Sequence, residues 1–266
     1  MSNTTSRPLA VVTGGSNGIG FELAVQFVEN GYDILIAAEN AAHLEEAATR
    51  LRRNGAEIAV HAGDLSTEQG VDGLYEAIRS GGRPVDALCV NAGVGLGGAF
   101  AETDLQKELK MIDLNVRGAV QLTKLVLKDM AARDAGKILL TSSIASTMPD
   151  PFEAVYGATK VFLRWFGEAL HNELKDTGVS VTVLLPGVTE TNFFNRAEMM
   201  DTKAGASNSK DDPAVVAKAA FEALEAGKDK ITPTLKNKVM GVVADMLPDR
   251  AAAQIHRGMS EPGSAN

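Results

Sequence analysis

Short apolar, β-branched runs alternate along the chain with longer stretches whose apolar residues recur at helical spacing. That alternation predicts βαβ units built around a parallel sheet. Leu9-Ala10-Val11-Val12 reads as a first strand that ends at a glycine cluster beginning with Gly14. Residues 19–30 follow as a helix with Leu23, Phe27 and Val28 on one face and Gly31 just past its end. Ile34-Leu35-Ile36, Ile58-Ala59-Val60 and residues 85–90 read as the next three strands. A helix at about 41–54 separates the first two of these, and a second helix, capped by Ser66 or Thr67, precedes the third. Two helical stretches run over residues 102–130, a fifth strand covers 137–140, a long helix 155–175 and a sixth strand 179–185, ended by Pro186-Gly187. Strands this uniformly apolar need cover on both faces. The expectation is a single doubly wound, mostly parallel α/β domain of Rossmann type, with its ligand outside the carboxyl ends of the strands.

The pattern weakens after residue 191. Residues 192–212 are rich in Asn, Ser, Gly and Lys yet carry Phe193, Phe194, Met199 and Met200, and read as a structureless, mobile substrate loop. Residues 213–226 return to helix, and Ile231 marks a last short strand. Residues 1–232 are therefore taken as the catalytic domain and 233–266 as a C-terminal helical extension. In that extension Leu235, Val239, Val242, Val243, Met246 and Leu247 share one face, which suits packing on the domain or contact with a second subunit before covering the active site or meeting a membrane surface beside Lys236 and Lys238.

Composition narrows the function. A formal charge of −8 argues against a nucleic-acid binder, though helix N-termini and glycine turns hold phosphate without net positive charge. Cys89 is the single cysteine, so neither an internal disulfide nor a cysteine zinc site can form. The four histidines show no ligand spacing, and no metal is expected. No apolar run is long enough to span a bilayer, and MSNTTSRP does not read as a signal peptide. The expectation is a cytoplasmic protein.

Two motifs carry chemistry. Thr13-Gly14-Gly15-Ser16-Asn17-Gly18-Ile19-Gly20 sits between the first strand and the first helix, where a backbone cradle for a pyrophosphate belongs. The same residues formally match the G-x-S-x-G elbow of α/β hydrolases, with Ser16 as nucleophile. That elbow requires several strands before it and an acid and histidine late in the chain, and here only one strand precedes it. Tyr156-Gly157-Ala158-Thr159-Lys160 puts a phenol and an ammonium on one helix face. A nearby cation favours the phenolate and so lowers a phenol pKa toward neutrality, making the group fit to move the proton that accompanies hydride transfer.

Thr13-Gly14 with Gly18 and Gly20, Asn91-Ala92-Gly93, Asn115, Ser143, Tyr156, Lys160 and Pro186-Gly187 appear in that order. Together they resemble the short-chain dehydrogenase/reductase superfamily in its compact single-domain branch, over residues 8–191. The resemblance implies that Tyr156 is the acid/base, that Lys160 lowers its pKa and holds the nicotinamide ribose, and that Ser143, rather than Ser142, binds the substrate oxygen. It implies that Asn115 anchors a relay water. It makes Thr13, Gly14, Ser16, Asn17, Gly18, Ile19 and Gly20 the cofactor's phosphate turn. Asp64 and Leu65 would meet the adenine, and Asn91, Ala92 and Gly93 would close the cleft. Pro186, Gly187, Thr189 and Thr191 would flank the nicotinamide. It further implies a homodimer or homotetramer and a small alcohol or carbonyl substrate. A nicotinamide-binding regulator without activity is the alternative, but such a protein would have lost part of the Ser-Tyr-Lys set.

The resemblance places the ribose reader in Ile36-Ala37-Ala38-Glu39-Asn40, where the family's usual Asp would fall near Ala38. Glu39 would accept hydrogen bonds from free ribose hydroxyls and repel a 2′-phosphate, which favours NAD with NADP possible; alternatively it points to solvent. Ile144, Phe152, Val188, Phe193 and Phe194, with Ser143, are the candidate substrate pocket, suited to an apolar alcohol or ketone.

Overall fold

The computed structural model describes residues 7–52, 55–235, 237–239 and 247–265. Seven parallel strands form one sheet: β1 (Leu9–Thr13), β2 (Asp33–Ala38), β3 (Ile58–Ala62), β4 (Ala87–Val90), β5 (Gly136–Thr141), β6 (Val179–Leu184) and β7 (Lys230–Ile231). Their spatial order is β3-β2-β1-β4-β5-β6-β7. The order reverses between β1 and β4, the crevice where such sheets bind ligands.

Side-chain alternation along the strands decides the layering. Ala10, Val12, Ile34, Ile36 and Cys89 face one core, which is closed by α1 (Gly18–Glu29), α2 (Ala41–Leu51) and α9 (Pro213–Glu225). Val11, Leu35, Leu88, Val90 and Leu140 face the other, beneath α3 (Glu68–Ser80), α5 (Ala119–Ala132) and α6 (Ala154–Glu173). Burying each Val, Leu or Ile among them stabilises the fold by roughly 1.5–3 kcal/mol. Cys89 is fully buried, and burial pushes its thiol well above the ordinary range, as suits a packed side chain rather than a nucleophile.

The helical stretch after β4 divides into α4 (Leu105–Ile112), a wide π turn over Asp113–Gly118 and α5. Residues 192–212, expected to be structureless, contain two short helices, α7 (Phe193–Arg196) and α8 (Lys203–Ala206). Phe194, Ala197, Met199 and Ala204 bury one another there, and the Thr202 hydroxyl caps α8 by accepting from the Gly205 amide. The apolar residues scattered through a polar stretch thus serve a small core of their own. A last helix, α10 (Asp249–Ser260), returns over the carboxyl ends of the strands. The apolar face expected over 235–247 falls largely outside the described residues; Leu235 and Val239, which are described, are exposed.

Candidate active site

Thr13 ends β1 and ties the neighbouring strand ends together. Its hydroxyl accepts from the amides of Asn91 (2.9 Å) and Ala92 (3.0 Å) and donates to the Cys89 carbonyl (3.3 Å). Asn91 extends the tie, donating to the Thr13 carbonyl (3.1 Å) and accepting from Thr141 (3.2 Å). Thr13 itself does not line the cleft, so its expected contact with cofactor becomes a bracing role. The turn that follows needs glycine. Gly14 and Gly18 have φ of 68° and 56°, and a Cβ on Gly20 would lie 2.3 Å from the Gly14 carbonyl. No side chain caps α1 and no acidic residue occupies its first turn, leaving its N-terminal amides to an anion.

From this turn a cavity of about 500 Å³ runs along the carboxyl ends of the strands. Apart from Thr13, every residue expected to contact the cofactor lines it: Ser16 to Gly20 at one side, Glu39, Asp64 and Leu65 at one end, Asn91 to Gly93 behind, and Pro186, Gly187, Thr189 and Thr191 at the other end. The backbone cradle, the uncapped helix and this elongated shape fit a dinucleotide. Ser16 accepts a hydrogen bond from Asn17 at 3.2 Å, and its place directly after the first strand is not that of a hydrolase elbow.

Sequence reading missed a cation at the end formed by Glu39 and Asp64. Lys110 of α4 sits 3.2 Å from Asp64 and 3.4 Å from Glu39, so one ammonium stands between two carboxylates. Burial alone would raise the Asp64 carboxyl, but hydrogen bonds from the Ser66 hydroxyl and amide, and Lys110 beside it, hold it below its ordinary value. No motif marks Lys110, because a helix after β4 carries it to the ribose end from outside the nucleotide-binding unit.

At the other end α6 supplies Tyr156 and Lys160, both buried. Ser143 hydrogen-bonds the phenol and accepts from the Ala145 amide at 3.1 Å. Ser142 instead donates to the Lys160 carbonyl at 2.6 Å, so the two serines divide between the site and a helix anchor. Lys160 donates from Nζ to the Thr141 carbonyl (3.0 Å), and its Nζ is 5.6 Å from the Tyr156 ring centre. Burial pushes the Lys160 ammonium down to about 8. The expected lowering of the phenol pKa by Lys160 is not what the surroundings produce. Burial first, and the neighbouring Glu153 next, push Tyr156 above its ordinary value, with Ser143 pulling the other way.

Asn115 completes the set. It is fully buried in the π turn, and its side chain accepts from the Val94 amide (3.0 Å) and donates to the Val94 carbonyl (2.9 Å) and to Thr159 (3.0 Å). Those bonds occupy the amide, which does not reach the cavity wall; it clamps the cleft loop against α6.

Ile144, Val188, Phe193 and Phe194 line the substrate end with Ser143, and the Phe193 ring lies 5.3 Å from that of Tyr156. Phe152 does not. Its left-handed backbone (φ 67°) presents the ring to Arg257 of α10, whose guanidinium carbon is 5.1 Å from its centre. Further groups on this wall escaped the sequence reading, among them Glu153, and Ile255, His256 and Ser260 from α10. Asp150, Glu153 and His256 bring one ligand-type atom each within 4.8 Å of one another, a meeting that separation along the chain conceals. A clue was present in the helical spacing of Ala252, Ile255 and Met259, which marks a face that docks.

Sheet order, uncapped glycine turn and buried Ser-Tyr-Lys group define a dinucleotide-binding oxidoreductase site. The short chain dehydrogenase family matches residues 8–201. A probable NADP-dependent dehydrogenase of Haemophilus influenzae is 36% identical over 70% of this chain and 73% of its own length. The 3-dehydrosphinganine reductase TSC10B of Arabidopsis thaliana is 33% identical over 83% of this chain and 68% of its own. L-Sorbose reductase of Gluconobacter frateurii, solved with NADPH and L-sorbose, superposes with a TM-score of 0.74 at 26% identity, covering 88% of this chain and 98% of that one. The chain belongs to the short-chain dehydrogenase family. It is an NAD(P)-dependent oxidoreductase acting on CH–OH and carbonyl groups.

Proposed function

We propose that this enzyme moves a hydride between a nicotinamide and an apolar secondary alcohol or ketone, with Tyr156 as the acid/base. The observation that carries the reading is the meeting of Tyr156, Ser143 and Lys160 where the cavity changes from glycine backbone to apolar side chains. The nicotinamide, when bound, supplies or accepts the hydride. The Ser143 hydroxyl fixes the substrate oxygen, and the Tyr156 phenol gives or takes its proton. Lys160, with Thr141 as its present partner, holds the ribose hydroxyls. Asn115 acts through the geometry of Val94 and Thr159. Ile144, Val188, Phe193 and Phe194 exclude water from the reacting carbon.

The cofactor reading is NAD before NADP. Glu39 and Asp64 together outweigh the single Lys110 charge, which disfavours a 2′-phosphate. The NADP- and NADPH-linked relatives favour the opposite choice. Fluorescence titration with NADH and NADPH separates them: tighter NADH supports Glu39 as reader, and tighter NADPH means that Lys110 binds the phosphate. Turnover of apolar ketones against polar hydroxyketones then tests the substrate class.

Self-association follows from α4 and α6, whose Leu105, Leu109, Phe162 and Trp165 are exposed large apolar side chains. No described helix is long and apolar enough to cross a membrane. A homodimer or homotetramer that Trp165→Glu converts to smaller species in sedimentation velocity would support this face; unchanged assembly would remove it.

A further inference from the structure

Glu153 stands at the N-cap of α6, one turn before Tyr156, and lines the same cavity. It does not cap the helix; its Oε2 accepts a buried hydrogen bond from Ser260 at 2.8 Å, 107 residues further on. Asp150 lies three residues before it, with Oδ1 2.8 Å from His256 Nδ1. The side chains of this pair are 2% and 13% exposed. The catalytic helix and the C-terminal helix are therefore joined by two carboxylates, one imidazole and one hydroxyl. The groups facing Glu153 are Asp150, His256 and Ser260; those facing Tyr156 are Glu153, Asp150, Ser143 and, across the ring, Lys160.

We propose that Glu153, held by Ser260 and the His256–Asp150 pair, is a positioning residue whose charge keeps Tyr156 in the protonated form that carbonyl reduction requires. The proposal rests on Tyr156 being the acid/base. A single imidazolium cannot neutralise two buried carboxylates, so one of them resists ionisation. Burial first and Asp150 next push Glu153 up to about 8, against Ser260 and His256, which favour its ionised form. As pH rises through that region a negative charge appears beside the phenol and opposes its ionisation. A phenol held protonated serves as the proton donor to a developing alkoxide and is a poor base for alcohol oxidation. The C-terminal helix, by supplying His256 and Ser260, thereby takes part in setting the favoured direction.

The test reads the phenol directly. In protein labelled with ¹³Cζ-tyrosine there are three resonances, from Tyr32, Tyr75 and Tyr156, and Tyr156→Phe identifies the one of interest. Between pH 6 and 9.5 the Tyr156 resonance should move with a midpoint near that of Glu153, and Glu153→Gln should flatten it. Glu153→Asp, which keeps the charge, should restore the movement. A flat Tyr156 resonance in the parent, or one that still moves in Glu153→Gln, overturns the proposal. If Glu153→Gln does not fold, Asp150→Asn serves, because removing that neighbour should shift the midpoint downward; an unmoved midpoint is equally fatal. Kinetics add a second readout: the pH at which alcohol oxidation switches on should fall by about one unit in Glu153→Gln. An enzyme that oxidises no alcohol and reduces no ketone would defeat the functional reading, while the resonance would still judge the coupling.

Discussion

The two halves of the cavity are built by different means. The cofactor half, from the glycine turn to Gly93, is assembled by consecutive βα units whose strand ends are fastened by Thr13 and Asn91. The substrate half is assembled from pieces remote in sequence: the end of β5, the first turn of α6, the α7–α8 segment and α10. In the first half glycine backbone forms much of the wall, where a Cβ on Gly14 or Gly20 would meet its neighbours. In the second half side chains form the surface, and their identity can change without altering the scaffold. A shared cofactor and a private substrate call for this division.

The test expected to give the largest effect lies on the seam. Tyr156→Phe removes the proton carrier while keeping the ring against Phe193. Turnover should fall roughly 10²- to 10⁴-fold, with Kd for the nicotinamide changed by less than a few-fold. Turnover equal to the parent's would move the acid/base to another residue.

Next is the substrate half's own core. Met199 is fully buried among Phe194, Ala197 and Ala204, and a Cβ on Gly97 would lie 2.4 Å from Met199 Cγ. Met199→Ala should cost about 2–5 kcal/mol of local packing, read as faster amide exchange across residues 193–206 and a raised KM. Cofactor affinity should stay as in the parent. If cofactor affinity fell as much as substrate affinity, the two halves would be one cooperative unit and the comparison would fail.

Above pH 5, a pH dependence of stability should arise in the substrate half. Glu153 has its folded-state pKa raised from 4.5 to about 8 by burial first and Asp150 next. An acid so raised binds its proton more tightly when folded, so the fold loses stability as pH rises from about 4.5 to about 8. Glu153→Gln escapes that loss. The difference in Tm between variant and parent should therefore grow from pH 5 to pH 9, by a few degrees; a constant difference would show that Glu153 titrates normally.

The halves differ equally in how they could be read. The succession of strands and helices, cover on both faces of the sheet and the glycine turn were legible because periodicity and φ constraints are local: Ala10 and Val12 face one core and Val11 the other, as alternation requires. Ser143 separated from Ser142 by its distance from Tyr156, and the two hydroxyls do take different partners. What escaped was whatever depends on contacts between distant segments. Lys110 meets Glu39 across 71 residues and Ser260 meets Glu153 across 107, and no spacing rule records either. Phe152 escaped for another reason: a left-handed φ at a bulky residue reverses the direction its side chain would be expected to take. Asn115 was marked by its place in the motif set, but its side-chain bonds to Val94 and Thr159 inside a π turn carry no sequence mark.

The smallest expected effect comes from the cofactor half, at the cluster of Glu39, Lys110 and Asp64. Glu39 is 70% exposed and shares Lys110 with Asp64, so each pairing is weak and solvent-screened. Glu39→Gln removes one negative charge from the ribose end and frees Lys110 to approach a 2′-phosphate. The ratio of the Kd values for NADH and NADPH should move toward NADPH by roughly tenfold, a change of about 1.4 kcal/mol. Lys110→Gln should move it the other way, and the double variant should lie between them. Both shifts should shrink at high salt, because the charges are exposed. If Glu39→Gln leaves the ratio unchanged while Lys110→Gln weakens NADPH, the lysine alone reads the ribose and Glu39 faces solvent. The cofactor half would then owe its selectivity, like the substrate half, to a side chain brought in from a distant segment.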